Sequence, residues 1–365
     1  MVDPPEGLNE RSADWHHNKF AEFTFYKQLI GEPSPHLAIV GYLGKEEDDL
    51  TKMWYLGCYG ATYCLPSAQM IWKSWTYLQV VAYPEDFTKW LEFHWKGIIT
   101  RTERRCVRTP AKMARCLISF AEWVQNRFLH VRQVSMEIED PSVRYDYVWD
   151  EVTSIYSIGR YIAIRIIEGM RRYCDVDVSL LDIRSIGGWS PKKAMCFMYP
   201  EHQELLLTDA GEKKTKELAA NLLDRVNQWG NQNLAQGCGR PELKASPIES
   251  HDIDYYVLAA MLCEYRVAFE KRKQYVGWTI DQEPILYNKA KDYWGDELES
   301  AGLWKARAAL FPHCALGEKT GHWEGTRWML TNLLRDEGYN WSDLVHNYAL
   351  FDAEGGEISE EEVRR

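Results

Sequence analysis

A short turn between two predicted helices is the part of the sequence best suited to holding a phosphate. In EVTSIYSIGRYIAIRIIEGMRRYC (residues 151–174), one helix ends, a turn with Gly159 follows, and a second helix begins at Arg160. Glycine lets the chain turn tightly, and the exposed amides at the next helix N-terminus can hold a DNA phosphate. Such a helix–hairpin–helix would bind DNA without reading its sequence. Packing of two helices with no ligand would give the same pattern, so both interpretations stay open.

Helical periodicity covers most of the chain, so the elements that hold this turn in place are expected to be helices. Apolar residues recur at spacings of three and four from Pro110 onward, from Gly159 to Tyr173 and from Tyr255 to Lys273. Arg165 and Glu168 fall off the apolar stripe, which predicts that they face solvent. Weaker helical patterns occur near residues 18–30, 67–80, 84–97, 144–155, 214–229, 286–300 and 324–337. Alternating apolar and polar runs are scarce, so we predict a mainly α protein.

The composition excludes several classes of protein. Hydrophobic residues make up 45% of the 365 residues and include 16 Trp, which excludes a chain that is mainly disordered. The nine cysteines are scattered without a CxxC motif, which excludes a disulfide framework or a zinc site and favours the reducing cytoplasm. The N-terminus lacks the pattern of a signal peptide, and no apolar run approaches the length of a membrane span. His16 and His17 lie in this polar N-terminal stretch and have no metal-binding spacing.

The charge of the chain is unevenly distributed. Its 43 basic and 54 acidic residues give a net charge of −11, which argues at first against a protein that binds polyanions. Between Lys96 and Arg132, however, nine basic residues stand against two glutamates, a local net charge of +7. The net charge of the whole chain therefore does not exclude DNA binding, since a local basic face could still bind DNA weakly and in a salt-sensitive way.

Four blocks of sequence carry a resemblance to known proteins. SIGRYIAIRI resembles the hairpin of the helix–hairpin–helix DNA glycosylases. The blocks DIRSIGGWSPKKAMCFMYP (182–200), LCEYRVAFEKRKQYVGWTID (262–281) and GYNWSDLVHNY (338–348) resemble the alpha-glutamyl/putrescinyl thymine pyrophosphorylases. Members of this family are also called amino acid:DNA transferases, and many are encoded by tailed bacteriophages. The resemblance covers residues 50–350 in broken blocks, and it implies a glycosylase-like helical bundle with helical additions, acting in the host cytoplasm if phage-encoded.

The resemblance also implies a reaction. A thymine analogue in DNA carries a pyrophosphorylated 5-hydroxymethyl group, and the amine of an amino acid or polyamine displaces the pyrophosphate. This chemistry needs the base turned out of the stack, cations for the pyrophosphate, and a carboxylate that accepts a proton from the attacking ammonium. The implied partners are the modified DNA and the amine donor, with no membrane. No cofactor is identified, and whether Mg²⁺ assists pyrophosphate departure stays open.

Carboxylates that could act as the general base follow from the same resemblance. The glycosylases place a catalytic aspartate at the position that is Ser179 here, and Asp177 and Asp182 flank it. We favour Asp182 because it precedes the Gly187–Gly188 turn, whose amides could approach phosphate, while an ordinary loop-anchoring role is the alternative. The other candidates are Glu264 and Asp281.

Cations, glycines and aromatic rings complete the predicted site. The candidates for binding DNA or pyrophosphate are Gly159, Arg160, Arg184, Gly187, Gly188, Lys192, Lys193 and Arg266. The planar fork of an arginine can pair two oxygens at once. Trp189 and Trp278 are candidates for stacking on a flipped base, with core packing as the alternative. No metal site is predicted.

Five segments and two alternative functions complete the predictions. The segments are an N-terminal extension (1–45), a glycosylase-like core (46–229), a loop or linker (230–250), a C-terminal helical part completing the site (251–350) and an acidic tail (351–365). A DNA glycosylase that excises a modified base and a non-catalytic DNA-binding protein are the alternatives. Ser179 and the 262–281 block favour the transferase over the glycosylase. The identity of the amine, the preferred DNA strandedness and the oligomeric state stay open.

Overall fold

The described part of the chain is built from helices. A computed structural model describes residues 12–29, 35–101, 106–180, 189–208, 211–233, 253–271, 278–300 and 302–303. These residues form sixteen α-helices and contain no strand, which confirms the prediction of a mainly α protein. None of these helices combines the length and the apolar character that crossing a membrane requires.

The chain divides into two compact units, which we describe separately. The hairpin unit contains the described residues within His36–Leu181 and Ile285–Leu310, and the Ser190 unit contains those within Met1–Pro35 and Asp182–Pro284. The helices of the hairpin unit are α2 (Pro35–Leu43), α3 (Asp49–Thr62), α4 (Leu65–Ser74), α5 (Tyr77–Ala82), α6 (Pro84–Phe93), α7 (Pro110–Asn126), α8 (Phe128–Glu137), α9 (Pro141–Thr153), α10 (Arg160–Tyr173) and α16 (Asp296–Ser300). The Ser190 unit contains α1 (Ala13–Leu29), α11 (Trp189–Met198), α12 (Gln203–Leu206), α13 (Glu212–Asn233) and α14 (Tyr255–Lys271), while α15 (Trp278–Trp294) crosses the boundary in the sequence.

Local signals in the sequence set the ends of several helices in the hairpin unit. The side chain of Asp48 accepts hydrogen bonds from the amides of Leu50 and Thr51 at the start of α3. Thr76 forms a capping box with Gln79, so the helical pattern predicted over 67–80 is interrupted between α4 and α5. Such caps satisfy the amides that a helix start leaves without intrahelical partners.

Helix α3 lies at the centre of the hairpin unit and is buried from Met53 to Thr62. Two glycines allow its neighbours to approach closely. An added Cβ at Gly57 would lie 2.2 Å from the Phe120 ring of α7, and one at Gly60 would lie 3.1 Å from Ile162 and Ile166 of α10. The packing of α7 and α10 against α3 therefore depends on the absence of a side chain at Gly57 and Gly60.

Two charged residues of α10 are buried, which corrects the prediction that they face solvent. Arg165 and Glu168 are 8% and 5% exposed. Arg171 and Arg172 both pair with the Glu168 carboxylate, at 2.6 and 2.5 Å from its Oε1. Because these partners follow Glu168 by three and four residues, the helix itself brings the neutralising charges that make burial tolerable.

The Ser190 unit has an aromatic core around Tyr265, which is fully buried on α14. Phe20 and Phe23 of α1 pack edge-on against it, and Nδ1 of His16 lies 3.0 Å from its hydroxyl. His16 and His17 are 1% and 5% exposed, so both are buried although the sequence around them is polar. They lie on a helix that packs against α11, α13 and α14.

Candidate functional site

A short turn joins α9 to α10 at the place where the hairpin was predicted, but Gly159 has a different role in it from the one expected. Ile155 and Ile158 are buried and anchor the connection. Ser157 adopts the left-handed backbone conformation (φ 66°), whereas Gly159 is extended (φ −92°, ψ 175°). The turn therefore requires no glycine at position 159, because any residue can adopt an extended backbone there.

Gly159 matters instead for what it leaves open. A Cβ added at this position would meet no atom within 4 Å, so packing does not require glycine either. The amides of Ile162 and Ala163 donate the first hydrogen bonds of α10, both 3.0 Å, to the Gly159 carbonyl oxygen. The two amides at the start of the helix, at Arg160 and Tyr161, come before these bonds. Gly159 and Arg160 are exposed. The positive end of the α10 dipole thus opens to solvent without a side chain in front of it, an arrangement that suits a phosphate.

The hairpin is fixed to α7, the helix that carries part of the basic sequence between Lys96 and Arg132. The Tyr156 amide donates to Oγ of Ser119 over 3.2 Å. The guanidinium carbon of Arg115 lies 4.1 Å from the centre of the Tyr156 ring, which is a cation–π distance. A charge of the basic segment is therefore held at the hairpin by direct contact.

Other charges of the basic segment are neutralised by acids from elsewhere in the chain. Arg127 pairs with Glu151, and Arg132 lies 2.5 Å from Asp49. The local net charge of +7 thus overstates the positive charge that the folded protein presents. Lys96, Arg108 and Lys112 of the same segment are exposed.

Asp177 has a partner within the hairpin unit. Its carboxylate pairs with Arg144, whose Nε also donates to the Ile138 carbonyl oxygen over 2.9 Å. The Asp177 side chain is 78% exposed. These contacts give Asp177 a part in holding the chain beyond α10, and its role as a general base stays a prediction.

Arg266 lies against the first turn of α11 in the Ser190 unit. Its Nε donates to Oγ of Ser190 over 2.7 Å, and the Cys263 thiol donates to the same oxygen over 3.2 Å. Arg266 is only 8% exposed. Arg266, a predicted phosphate-binding residue, is therefore hydrogen-bonded to Ser190. Ser190 was not among the predicted site residues, although it directly follows Trp189, which was.

The remaining candidates of the Ser190 unit lie on the same two helices. Glu264 is half-buried on α14, next in sequence to the fully buried Tyr265. Lys192 and Lys193 are half-buried in α11. Burial raises the pKa of the Cys196 thiol, and the charge of Lys193 opposes that rise. Cys196 is accordingly a protonated packing residue and a poor nucleophile.

His17 is neutral in the folded protein. Burial lowers its pKa to about 4, and the positive charge of Arg225 acts in the same direction. Its ring meets the ring of Tyr199 edge-on at 4.9 Å. The histidine pair is thus a part of the core that the sequence pattern did not reveal.

Several predicted site residues lie outside the described part of the structure. These are Asp182, Arg184, Gly187 and Gly188. Trp189 begins α11, Trp278 begins α15, and Asp281 belongs to α15, but their side chains are outside the description. Among the described residues, no group of three or more His, Cys, Asp or Glu side chains is placed to hold a metal ion.

Comparison with known proteins identifies the family. A family model described as amino acid:DNA transferase matches residues 53–236, which is half of the chain. No curated protein matches significantly. The matched range includes the hairpin, the open end of α10 and Ser190. The chain therefore belongs to the amino acid:DNA transferase family, and it is a transferase that places an amino acid on DNA.

Proposed function

We propose that the transferase acts on a thymine analogue whose 5-hydroxymethyl group is pyrophosphorylated. The bond from the exocyclic methylene carbon to the pyrophosphate oxygen breaks, and a bond from that carbon to the amine nitrogen forms. Pyrophosphate leaves with the electron pair, and the ammonium proton passes to a carboxylate. The observation that carries this proposal is the family match over 53–236, which includes a hairpin suited to DNA phosphate.

The proposal gives each group a task. The exposed N-terminus of α10 holds a phosphate of the DNA backbone, while the target base is turned out of the stack and rests on an aromatic ring such as Trp189 or Trp278. Arg266, held in position by Ser190, and the lysines of α11 attract the pyrophosphate. Glu264 or Asp182 accepts the proton, because an ammonium has no lone pair for attack until it loses one.

The proposal extends to the origin and the architecture of the chain. The helical bundle is assigned to the helix–hairpin–helix glycosylase type, encoded by a bacteriophage and acting in the host cytoplasm. The donor is an amino acid or a polyamine, and glycine, glutamate and putrescine are all open. Whether Mg²⁺ assists pyrophosphate departure is left to experiment.

The decisive experiment weighs the product. The protein is incubated with DNA that contains pyrophosphorylated 5-hydroxymethyluracil and a panel of amines, with and without EDTA. The DNA is then digested to nucleosides for mass spectrometry. A gain in mass that corresponds to one amine, with loss of pyrophosphate, is expected. The absence of a gain with every amine would defeat the proposal, and abasic sites would instead indicate a glycosylase.

Two carboxylate exchanges test the assignment of the base. Asp182→Asn and Glu264→Gln keep the shape of each side chain but remove its ability to accept the proton. Loss of product with DNA binding retained, in at least one of them, is expected. Full product with both variants would contradict the assignment and leave the reaction itself unaffected.

Gly159→Ser should affect DNA binding and stability in opposite directions. Serine is a better N-cap than glycine, and its Oγ can accept a hydrogen bond from an α10 amide, so stability should rise by about 0.3 kcal/mol. The same side chain occupies the space that we assign to phosphate, and losing a hydrogen bond to a charged group should weaken DNA binding roughly tenfold. Thermal unfolding and fluorescence anisotropy with a labelled duplex measure the two effects. Unchanged DNA affinity would show that no phosphate lies at the end of α10.

A further inference from the structure

One face of α7 contacts the turn that precedes α10. Lys112 and Arg115 are exposed on this helix, and Ser119 is half-buried one turn further on. Residues three or four positions apart share a helix face, so these three side chains lie on one side of α7. Arg115 lies over the ring of Tyr156, and Ser119 accepts a hydrogen bond from the Tyr156 amide. Arg108 is exposed just before the helix begins, and we call Arg108, Lys112 and Arg115 the α7 cations.

The α7 cations have no acidic partner within the described part of the chain. No carboxylate there forms an ion pair with any of the three, whereas Arg127 of the same basic segment pairs with Glu151. The first turn of α7 also lacks an acidic residue. Cations near the positive end of a helix, and like charges on one helix face, each cost some stability. An anion bound beside the α7 cations would replace this repulsion by attraction.

Tyr156 holds the Arg115 charge in place. The guanidinium carbon lies 4.1 Å from the centre of the ring, a distance at which a cation and an aromatic ring attract each other. A guanidinium over a ring keeps its N–H donors at its edges, where they can pair with phosphate oxygens. Because the side chain is already held, it loses less conformational freedom when an anion binds.

The turn also limits how far this charge lies from the N-terminus of α10. Tyr156 and Gly159 are separated by three residue steps, and a chain of that length spans at most about 11 Å. One DNA strand advances by about 3.4 Å per phosphate along its axis, so this span covers about three nucleotides. A strand that has one phosphate at α10 can therefore bring a neighbouring phosphate to Arg115.

The far end of α7 is anchored as well. Nε1 of Trp123 donates to the Glu151 carboxylate of α9 over 3.4 Å, and Arg127 pairs with the same carboxylate. Helix α7 is thus tied both to α9 and to the turn that follows α9. Its backbone therefore holds a fixed position relative to the N-terminus of α10.

We propose that the α7 cations bind the sugar–phosphate backbone of DNA beside the phosphate held at the N-terminus of α10, with Arg115 making the central contact. The inference rests on the proposed function, because it takes that phosphate as its fixed point. A planar guanidinium pairs two phosphate oxygens at once, while Lys112 and Arg108 add positive charge along the strand. Such contacts do not read the bases, so they add affinity without restricting where a target base is found. The pyrophosphate of the modified base is the other source of the same chemistry.

The salt dependence of DNA binding tests this interface. Arg115→Gln and Lys112→Gln are compared with Lys73→Gln, a control that also removes an exposed cation. Lys73 lies on α4, 4.6 Å from the centre of the Trp72 ring, so the control also loses a cation–π contact. Binding of an unmodified duplex is measured from low to moderate salt. Each α7 variant should reduce the slope of log affinity against log salt by about one, the amount for one lost phosphate contact, and Lys73→Gln should leave the slope unchanged.

Two exchanges at Tyr156 test its role in positioning Arg115. Tyr156→Phe keeps the ring and should bind DNA like the wild type. Tyr156→Leu removes the ring but no charge, so binding should weaken about threefold while the slope stays the same. Wild-type affinity of Tyr156→Leu would overturn this positioning role.

A second arm measures the affinity for inorganic pyrophosphate by calorimetry, with no change expected for Arg115→Gln, and circular dichroism checks that each variant is folded. Wild-type slopes for Arg115→Gln and Lys112→Gln would overturn the interface, as would an equal loss with Lys73→Gln. Wild-type slopes together with pyrophosphate bound about tenfold more weakly by Arg115→Gln would overturn it in favour of the leaving group. The duplex carries no modified thymine and no amine is added, so the interface and the proposed reaction can fail independently.

Discussion

Glu168→Gln is expected to lower the free energy of unfolding by about 3 kcal/mol, because it removes one partner from a buried ion cluster. Burial alone would raise the pKa of Glu168, but Arg172 and Arg171 together outweigh burial and lower it. The carboxylate is therefore ionised between two arginines. Glutamine removes the carboxylate charge that pairs with Arg172, whose side chain is only 13% exposed. Urea denaturation followed by far-ultraviolet circular dichroism measures the loss.

Glu46→Gln provides the matched control for this measurement. This variant makes the same chemical exchange, but at a carboxylate that is 85% exposed. Glu46 pairs with the exposed Lys45 at 3.7 Å. An exposed pair of this kind contributes at most about 1 kcal/mol, so little change is expected. Equal effects of the two variants would show that the burial of Glu168 contributes nothing to stability.

The pH dependence of the same variant provides an independent check. A lowered pKa in the folded state means that the unfolded chain binds the proton more readily. The stabilisation from Glu168 is thus present above its ordinary pKa and lost as pH falls through the lower folded-state value. The difference in stability between wild type and Glu168→Gln should shrink over that acidic window. A difference that stays constant there would indicate that the ionised carboxylate is not its source.

Gly57→Ala is expected to destabilise the protein by about 2 kcal/mol, although alanine is the better helix former. The new methyl would lie 2.2 Å from Cδ1 and 2.8 Å from Cγ of Phe120, so the whole buried ring must move. Overpacking a core typically costs about 1 to 3 kcal/mol, which exceeds the gain of about 1 kcal/mol in helix propensity. Urea denaturation gives the net value.

Gly60→Ala separates crowding from helix propensity. It makes the same exchange in the same buried helix, but the new methyl would meet side-chain methyls of Ile162 and Ile166 at 3.1 Å, which can shift by a few tenths of an ångström. Stability within about 1 kcal/mol of wild type is expected, because the propensity gain offsets this small adjustment. A stable Gly57→Ala protein would show that Phe120 can be displaced without loss.

The helices of the site could be predicted from sequence because their signal is local. Periodic apolar residues and Pro110 located α7, and the same periodicity located α10 and α14. The conformation of Ser157 could not be predicted in this way, because the path of a turn depends on how Ile155 and Ile158 are buried. The contact of Arg266 with Ser190 joins residues 76 positions apart, and no periodicity encodes such a pairing.

The family was predicted correctly from broken blocks of sequence, and the match over residues 53–236 confirms it. Burial of Arg165 and Glu168 was missed because a hydrophobic pattern counts every charged residue as polar. For Glu168 the pattern takes no account of Arg171 and Arg172, whose charges neutralise the carboxylate. The choice of amine and of DNA base depends on which groups meet in three dimensions, which no local pattern encodes. Asp182 and Gly187–Gly188, which were predicted to contribute, lie outside the described residues.

The glycine contacts of α3 have a consequence for how the protein meets DNA. Gly57 lets α3 pack closely against α7, and Gly60 lets it pack closely against α10. Leu56 of α3 packs in turn against Gly169 of α10. None of these three helices can slide or rotate without losing an interlocked contact, so they should move as one rigid body. The open end of α10 is then preorganised before DNA arrives, and little conformational entropy is lost when a phosphate binds there. Sub-ångström agreement between the free and DNA-bound backbones of α3, α7 and α10 is the structural signature of this preorganisation.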